Sequence, residues 1–483
     1  MKTRILLSSF IALTCIPGFS AETPNVLVIF ADDVGWGDAG CYGATKVKTP
    51  NIDRLAREGQ RFANGHASAA VCTPTRYSLL TGQYSWRRNG VGLDKGVSNG
   101  GSPLLIPTAM TTAPGLLKQA GYQTALIGKW HLGFGETKPD YNNELKPGPL
   151  EIGFHEFFGI PATNDRVPTV FVRGHRVVDL DPNDPIGINY NQDEAKSQGM
   201  SAYIAGRNRI GWMKGGKAAW WKDTEIADTL TGECVQFIER NKEKKFFLLY
   251  APHNVHAPTI THKRFAGSSG LGNRADMLLE LDASIGKILE TLDKHDLAKN
   301  TLIIYSSDNG AYVNDEDGHK PTGPFRGKKS QLWEGGHRVP FIVRWPARIQ
   351  PGEPKELVST IDIPATVTAA AGISIPENSL PDSYNLLPAM LGDKDAPKRD
   401  DLVVMSGTGQ LALRSGDFKY IPDLSNADGW YGGKKKAPKK PGLYDLSKDP
   451  GETQNLYQKQ TAMGKRLAAR LEEMRTKTAT RPK

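Results

Sequence analysis

The apolar positions of this chain fall into short continuous runs bounded by turn residues. Asn25 to Ala31, Tyr122 to Gly128, Lys245 to Tyr250 and Thr301 to Ser307 are rich in β-branched and aromatic residues and lack polar alternation. That is the pattern of strands covered on both faces of a sheet. Segments of helical character separate them: one opening at Pro50 with Asn51 near its cap, Thr108 to Ala120, Arg274 to Asp296, and an Ala-rich stretch opened by Asp362. Strands alternating with helices predict a large α/β domain over residues 22–395, closed by Pro381 to Leu387. Within it, Glu151 to Asp184 carries short strands, Val167 to Val172 and His175 to Val178, and reads as an excursion over one sheet edge. Asn191 to Lys222 reads as irregular, and Val339 to Val343 as a further strand. From residue 396 to 483 the pattern changes. Leu402 to Ser406, Gln410 to Arg414, Phe418 to Ile421 and Gly442 to Leu446 predict strands on short turns, with a closing helix from Thr461 to Thr476.

The predicted strands end in residues that carry chemistry. The first stops at Asp32-Asp33, the second delivers Lys129-Trp130-His131, and the third runs into Ala251-Pro252-His253-Asn254-Val255-His256-Ala257-Pro258. The fourth stops at Asp308-Asn309-Gly310. Alternation places Lys129 and His131 on one face. The C-terminal edge of an open α/β sheet is where ligands bind. Adjacent carboxylates repel unless a cation sits between them, although a strand ending in polar turn residues would look the same. Three carboxylates and an amide are hard oxygen donors suited to Ca²⁺ or Mg²⁺. The two histidines have no third nitrogen or sulfur ligand at a usual zinc spacing. Cys72 precedes Pro74, which suits the first helical position. Cys72 thus stands at a helix start, where an anion is favoured, or is simply a small buried residue beside a turn.

Cys72-Thr73-Pro74-Thr75-Arg76, closing in Leu79-Leu80-Thr81-Gly82, resembles the signature of the formylglycine-dependent type I sulfatases, with Thr75 where Ser is commoner. The resemblance implies an alkaline phosphatase-like fold: a large mixed central sheet sandwiched by helices, followed by a smaller C-terminal α+β subdomain. It also implies that a maturation enzyme oxidises Cys72 to formylglycine, whose hydrated form attacks sulfur and later expels sulfate. Calcium would be held by Asp32, Asp33, Asp308, Asn309 and the converted Cys72. Arg76 would steady the nucleophile, and Lys129 and Lys329 would bind sulfate oxygens. Lys329 rather than Lys328 is selected by its five-residue spacing to Glu334-Gly335-Gly336. His256 would protonate the leaving oxygen and His131 would act as the later base. His253, Asp165 and Arg166 are assigned to substrate. The implied activity is sulfate-ester hydrolysis on galactose or N-acetylgalactosamine units of a glycan. Trp220 or Trp221 would stack on a sugar or pack in the core. A formylglycine-dependent phosphonate or phosphodiester hydrolase and a non-catalytic sulfated-glycan-binding protein are the alternatives.

Charge and leader refine this picture. Lys2 and Arg4, the apolar stretch from Ile5 to Ile16 and Phe19-Ser20-Ala21 read as a secretory signal cleaved after Ala21, with no transmembrane segment remaining. Export to the periplasm or beyond follows. The formal net charge of +9 loses the two leader charges and still suits an anionic substrate. Much of it sits in Lys434-Lys435-Lys436 and Lys439-Lys440, a solvated run without a nucleic-acid motif. Cys41 and Cys234 are available for a disulfide in an oxidising compartment.

Overall fold

The computed structural model describes residues 23–88, 96–432 and 438–482. The leader Met1 to Ala21 and Lys434 to Lys436 lie outside the described residues. Among those described, the main sheet has nine strands. Asn25–Ala31 lies at its centre, pairing in parallel with Thr301–Ser307 on one side and Phe246–Ala251 on the other. Parallel pairing continues outward through Gln123–Lys129 to Glu156–Ile160. Both margins are antiparallel: Phe341–Arg344 and Gln60–Phe62 at one, Val172–Arg173 and Arg176–Val177 at the other. All five parallel strands therefore end at the same edge.

Alternation within the central strand divides the core. Val26, Val28 and Phe30 face one cluster, together with Tyr77, Leu79 and Leu80 of the helix Cys72–Thr81. Leu27, Ile29 and Ala31 face the other, against the helices Ile226–Asn241 and Asn273–Lys294. Both faces are covered, which is why the strand lacks polar residues.

The C-terminal strands Asp401–Met405, Leu411–Ser415, Phe418–Ile421 and Gly442–Asp445 form an antiparallel sheet. The helix Thr461–Thr476 packs on it through Leu467, Leu471 and Met474. Ala69, Tyr84, Trp86 and Ile361 belong to the same apolar cluster. Ala70 N–H donates to the Met405 carbonyl at 2.7 Å, so this sheet abuts the segment leading to Cys72.

Several local expectations are corrected. Asn191 to Lys222 is ordered: a helix Gln192–Ser197 and strands Ser201–Ile204 and Arg207–Lys214, which with Gly187–Asn189 make a three-stranded sheet. Its inward positions on Arg207–Lys214 are Arg209, Gly211 and Met213, so no apolar alternation announces it. The helix predicted from Thr108 begins at Ala113, where Thr112 Oγ1 accepts from Gly115 N–H. Instead of a strand at Val167 to Val172, only Val172–Arg173 pairs in the main sheet. Trp221 is buried and Trp220 packs against the core. Cys41, Cys72 and Cys234 are free thiols.

Candidate active site

Every parallel strand contributes at its C-terminal end. Asp32 and Asp33 leave the central strand, with Asp33 turned into the left-handed region at φ 60°, which Asp tolerates better than most residues. Lys129 ends its strand and places Nζ 2.7 Å from Asp32 Oδ2 and 3.7 Å from Asp308 Oδ2. Arg76, one turn into the helix from Cys72, donates from Nε to Asp308 Oδ2 at 2.9 Å. Lys329 reaches Asp33 Oδ1 at 2.6 Å, and Asn309 Nδ2 donates to the same oxygen at 2.6 Å. The fifth strand leads to Asp165 and Arg166, paired at 2.9 Å.

The helix starts at Cys72 itself, with Val71 as the cap and Pro74 in its first turn, where a missing N–H costs nothing. Cys72 is buried, and burial raises its thiol despite the lowering influence of Lys129 and Lys329. Cys72, Asp33, Asp165, Arg166, His256 and Lys329 line a cavity of about 200 Å³, whose wall also includes Val97, Tyr312, Trp430 and Tyr431.

The histidines sort by geometry. His131 has φ 59°, so the alternation expected to align it with Lys129 ends at the strand terminus. Its Nε2 lies 2.9 Å from the Ser98 carbonyl; a carbonyl only accepts, so Nε2 carries the proton. Nδ1 is buried and unpartnered. Burial, then Lys129 and Arg166, pushes His131 well below its ordinary range, leaving Nδ1 a lone pair. His256 donates from Nδ1 to the Ala257 carbonyl at 2.6 Å, with Nε2 4.0 Å from Asp33 Oδ2. Burial and Lys329 lower it to about 4, against Asp33 and Asp165. His253 is buried, lowered to about 3 by its burial, and is not among the cavity's lining residues.

The carboxylates fit a hard cation. Asp32 Oδ1 and Asn309 Oδ1 are buried oxygens with no hydrogen-bond partner, an arrangement that costs free energy unless something positive binds there. Burial and then Asp308 push Asp32 up to about 7. Burial also opposes ionisation of Asp33 and Asp308, but Lys329 holds Asp33 low and Arg76 holds Asp308 low.

Sequence reasoning missed Val97, Ser98, Tyr312, Trp430 and Tyr431. Gly429-Trp430-Tyr431-Gly432-Gly433, an aromatic pair between glycines, was the available signal for two of them.

A family model described as Sulfatase matches residues 24–373. The chain is 43% identical to an N-acetylgalactosamine-6-O-sulfatase of Bacteroides thetaiotaomicron, over 95% of this chain and 94% of that protein. It is 33% identical to human arylsulfatase A, over 90% of this chain and 84% of that protein. A solved structure from Bacteroides thetaiotaomicron, described with the metabolism of multiple glycosaminoglycans, superposes with a TM-score of 0.88 at 43% identity. It covers 94% of this chain and 100% of that one.

Proposed function

The chain belongs to the sulfatase family and is a sulfuric ester hydrolase, and on that premise we propose that it removes 6-O-sulfate from terminal N-acetylgalactosamine of a glycan. The observation that carries the reading is the placement of Cys72. It stands buried at a helix start on the cavity wall with Lys129, Lys329, Asp308 and Asp32 as its charged neighbours. The 43% identity to a sulfatase of that specificity supports the choice of sugar and position.

Sulfatases in general use a metal and formylglycine. Here Asp32, Asp33, Asp308 and Asn309 would hold calcium, the hard cation their oxygens suit. When bound, it neutralises sulfate charge and aligns residue 72, whose formylglycine form supplies the attacking oxygen. Conversion requires a maturation enzyme acting on Cys72, and the leader implies export. No helix of the described residues is long and apolar enough to cross a membrane.

The chain's own residues do the rest. Lys129 and Lys329 provide fixed positive charge for the equatorial sulfate oxygens in a site largely shielded from water. Arg76, anchored on Asp308, steadies residue 72. A sulfate ester in the cavity offsets the repulsion that Lys329 exerts on His256, so the imidazole gains a proton at Nε2 and gives it to the departing sugar oxygen. His131, with Nε2–H fixed on Ser98, takes a proton from residue 72 at Nδ1 when sulfate leaves. Asp165 and Arg166 contact the sugar.

The test is twofold. Peptide mass spectrometry of protein made with a maturation enzyme should show residue 72 lighter by about 18 Da, as conversion of thiol to aldehyde requires. A panel of galactose and N-acetylgalactosamine sulfates of defined position, run beside phosphate and phosphonate esters, should give fastest turnover on N-acetylgalactosamine 6-sulfate. Preference for a phosphonate, or binding without turnover, overturns the reading.

A further inference from the structure

The C-terminal segment places two large aromatic side chains at the mouth of the cavity, and nothing in the reaction described so far uses them. Trp430 is 44% exposed and Tyr431 45% exposed, yet both belong to the wall that contains Cys72 and Lys329. Exposed aromatic surface of this size costs hydration free energy unless something covers it.

The geometry of Trp430 is fixed on its inner side. Its backbone N–H donates to Ser330 Oγ at 2.9 Å, and its indole N–H donates to the Gly407 carbonyl at 2.9 Å. Both polar groups are thereby satisfied inward, and the apolar ring is what remains outward. The anchor is tight. A Cβ on Gly429 would lie 2.2 Å from the Ser330 carbonyl oxygen, and one on Gly407 2.8 Å from the indole Cε2. Ser330 is itself tied to the segment before Cys72 by its N–H on the Ala70 carbonyl at 2.6 Å, and it follows Lys329 directly. The ring is thus held at a set position relative to the sulfate-binding lysine. Beside it, Lys328 Nζ sits 4.2 Å over one face of Tyr431, leaving the opposite face uncovered by that cation.

We propose that Trp430, flanked by Tyr431, is the stacking platform for the sugar ring that carries the sulfate, and that it favours galacto- over gluco-configured sugars. This rests on the sulfatase reading above. The chemistry is general. In a galacto-configured ring the axial O4 leaves the C3, C4 and C5 hydrogens together on one face, an unbroken apolar patch that matches an indole. An equatorial O4 breaks that patch. Stacking buries apolar area without demanding a hydrogen bond, so it acts on the sugar and not on the sulfate.

The experiment compares the unaltered enzyme with Trp430→Ala, Trp430→Phe and Tyr431→Ala. Kinetics are measured on N-acetylgalactosamine 6-sulfate and N-acetylglucosamine 6-sulfate, with the inhibition constant of inorganic sulfate as a probe of the anion end alone. Trp430→Ala should raise KM on the galacto sugar about tenfold or more, the scale of one aromatic contact. It should change kcat little, leave sulfate inhibition unchanged and shrink the galacto preference. Trp430→Phe, which keeps a ring, should recover much of the loss, and Tyr431→Ala should lie between. An unchanged KM, sulfate inhibition that weakens in step with KM, or a Phe variant as poor as Ala overturns the platform. Failure of the substrate reading shows instead in the unaltered enzyme, as preference for another sulfated sugar. The variants run on that sugar still decide the platform by the same KM criterion.

Discussion

Two buried clusters of this protein bring together the same kinds of ligand atom. Asp32, Asp33 and His256 form one, and His66, Glu334 and His337 the other; within each, the ligand atoms lie within 4.8 Å of one another. They differ in what else is present. In the second, Lys419 Nζ lies 3.0 Å from His337 Nε2, which also faces the Leu332 carbonyl at 3.3 Å. The two Nδ1 atoms of His337 and His66 meet at 3.0 Å, and His66 Nε2 faces Asn64 Oδ1 at 3.0 Å and Arg338 Nη1 at 3.2 Å. All four ring nitrogens are engaged by protein groups, which leaves no free imidazole lone pair for a metal. Glu334 pairs with Arg338 at 2.7 Å and with Lys419 at 3.3 Å, and Lys419 reaches Glu452 at 3.0 Å. Glu452 Oε1 there lacks a hydrogen bond but has the Lys419 ammonium 3.0 Å away. In the first cluster, by contrast, Asp32 Oδ1 and Asn309 Oδ1 are orphaned, and a cavity opens beside Asp33. A metal-like set of side chains becomes a metal site only where charge and lone pairs are left over. The second cluster has spent both on holding the Lys329 segment against the C-terminal sheet.

The largest expected effect separates the clusters by activity. Cys72→Ala should reduce turnover by about 10⁴-fold or more, as loss of a nucleophile does. Asp308→Asn should come close to it, because a carboxylate is lost beside both the proposed cation site and Arg76. The thermal midpoint of Cys72→Ala should stay near that of the unaltered protein, whereas Asp308→Asn also breaks the buried pair with Arg76. A Cys72→Ala preparation with full turnover would break the comparison at its centre.

Next in size is the division of labour between His256 and Lys329. General acid catalysis is worth about 10²–10⁴-fold, and a sugar oxygen needs the proton where a nitrophenolate does not. His256→Ala should therefore lose far more activity on a sulfated sugar than on nitrophenyl sulfate. On the proposed role of His131 as the base that acts after the alcohol has left, His131→Ala should be slow on both substrates with a burst of released alcohol. Equal losses on both substrates for His256→Ala would move the acid to Lys329. Lys329 is held protonated by Asp33 against its own burial.

How much of this was legible follows from where the signals lie. Asp32, Lys129 and Asp308 end apolar runs, and burial on both faces makes such runs visible. Asp165 and Arg166 also end a parallel strand, Glu156–Ile160, but that run is short and its role showed only as an excursion. The turn of His131 onto Ser98 depends on one dihedral angle and a distant carbonyl, which no spacing encodes. Trp430 and Tyr431 reach the cavity because the C-terminal sheet docks at Ala69 and Ala70, a tertiary contact between segments more than 300 residues apart. Arg209 occupies an inward strand position through its 2.7 Å pair with Asp223, which hid the three-stranded sheet from any apolar pattern.

Stability should give the mirror image of the activity result. Lys419→Met leaves Glu334 and Glu452 without their shared cation, and breaking a buried ion pair costs about 3–5 kcal/mol. Denaturant unfolding should show that loss, while activity per folded molecule changes little. Glu334→Gln should behave alike. If either variant unfolded normally and lost turnover instead, the second cluster would belong to the chemistry.

The smallest effect is the finest discriminator, because one acid raised by burial lies in the first cluster and another, Glu452, is tied to the second through Lys419. Asp32 is pushed up to about 7 from 3.8, and Glu452 to about 7 from 4.5, in each case against a neighbouring lysine. A group whose folded value is raised contributes stability that is complete below its unfolded value and is lost as pH rises through its folded value. Five buried histidines, His66, His131, His253, His256 and His337, are lowered on folding and act with the opposite sign as pH rises through about 6.5, their unfolded value. The acids' share, lost as pH rises towards about 7, is therefore read over about pH 5 to 8 as the change in slope between chelator-treated protein and each variant or calcium-bound state, in which the histidines are common. Calcium favours ionised Asp32 and should cancel that acid's share, leaving the share of Glu452, which pairs with Lys419 at 3.0 Å and is not among the proposed cation ligands. In Asp32→Asn the calcium-dependent part of the slope should vanish, and in Glu452→Gln the calcium-independent part. Thermal melts across this range, with and without calcium, measure both. A slope that calcium leaves untouched would mean that the orphaned oxygens at the strand edge do not bind it.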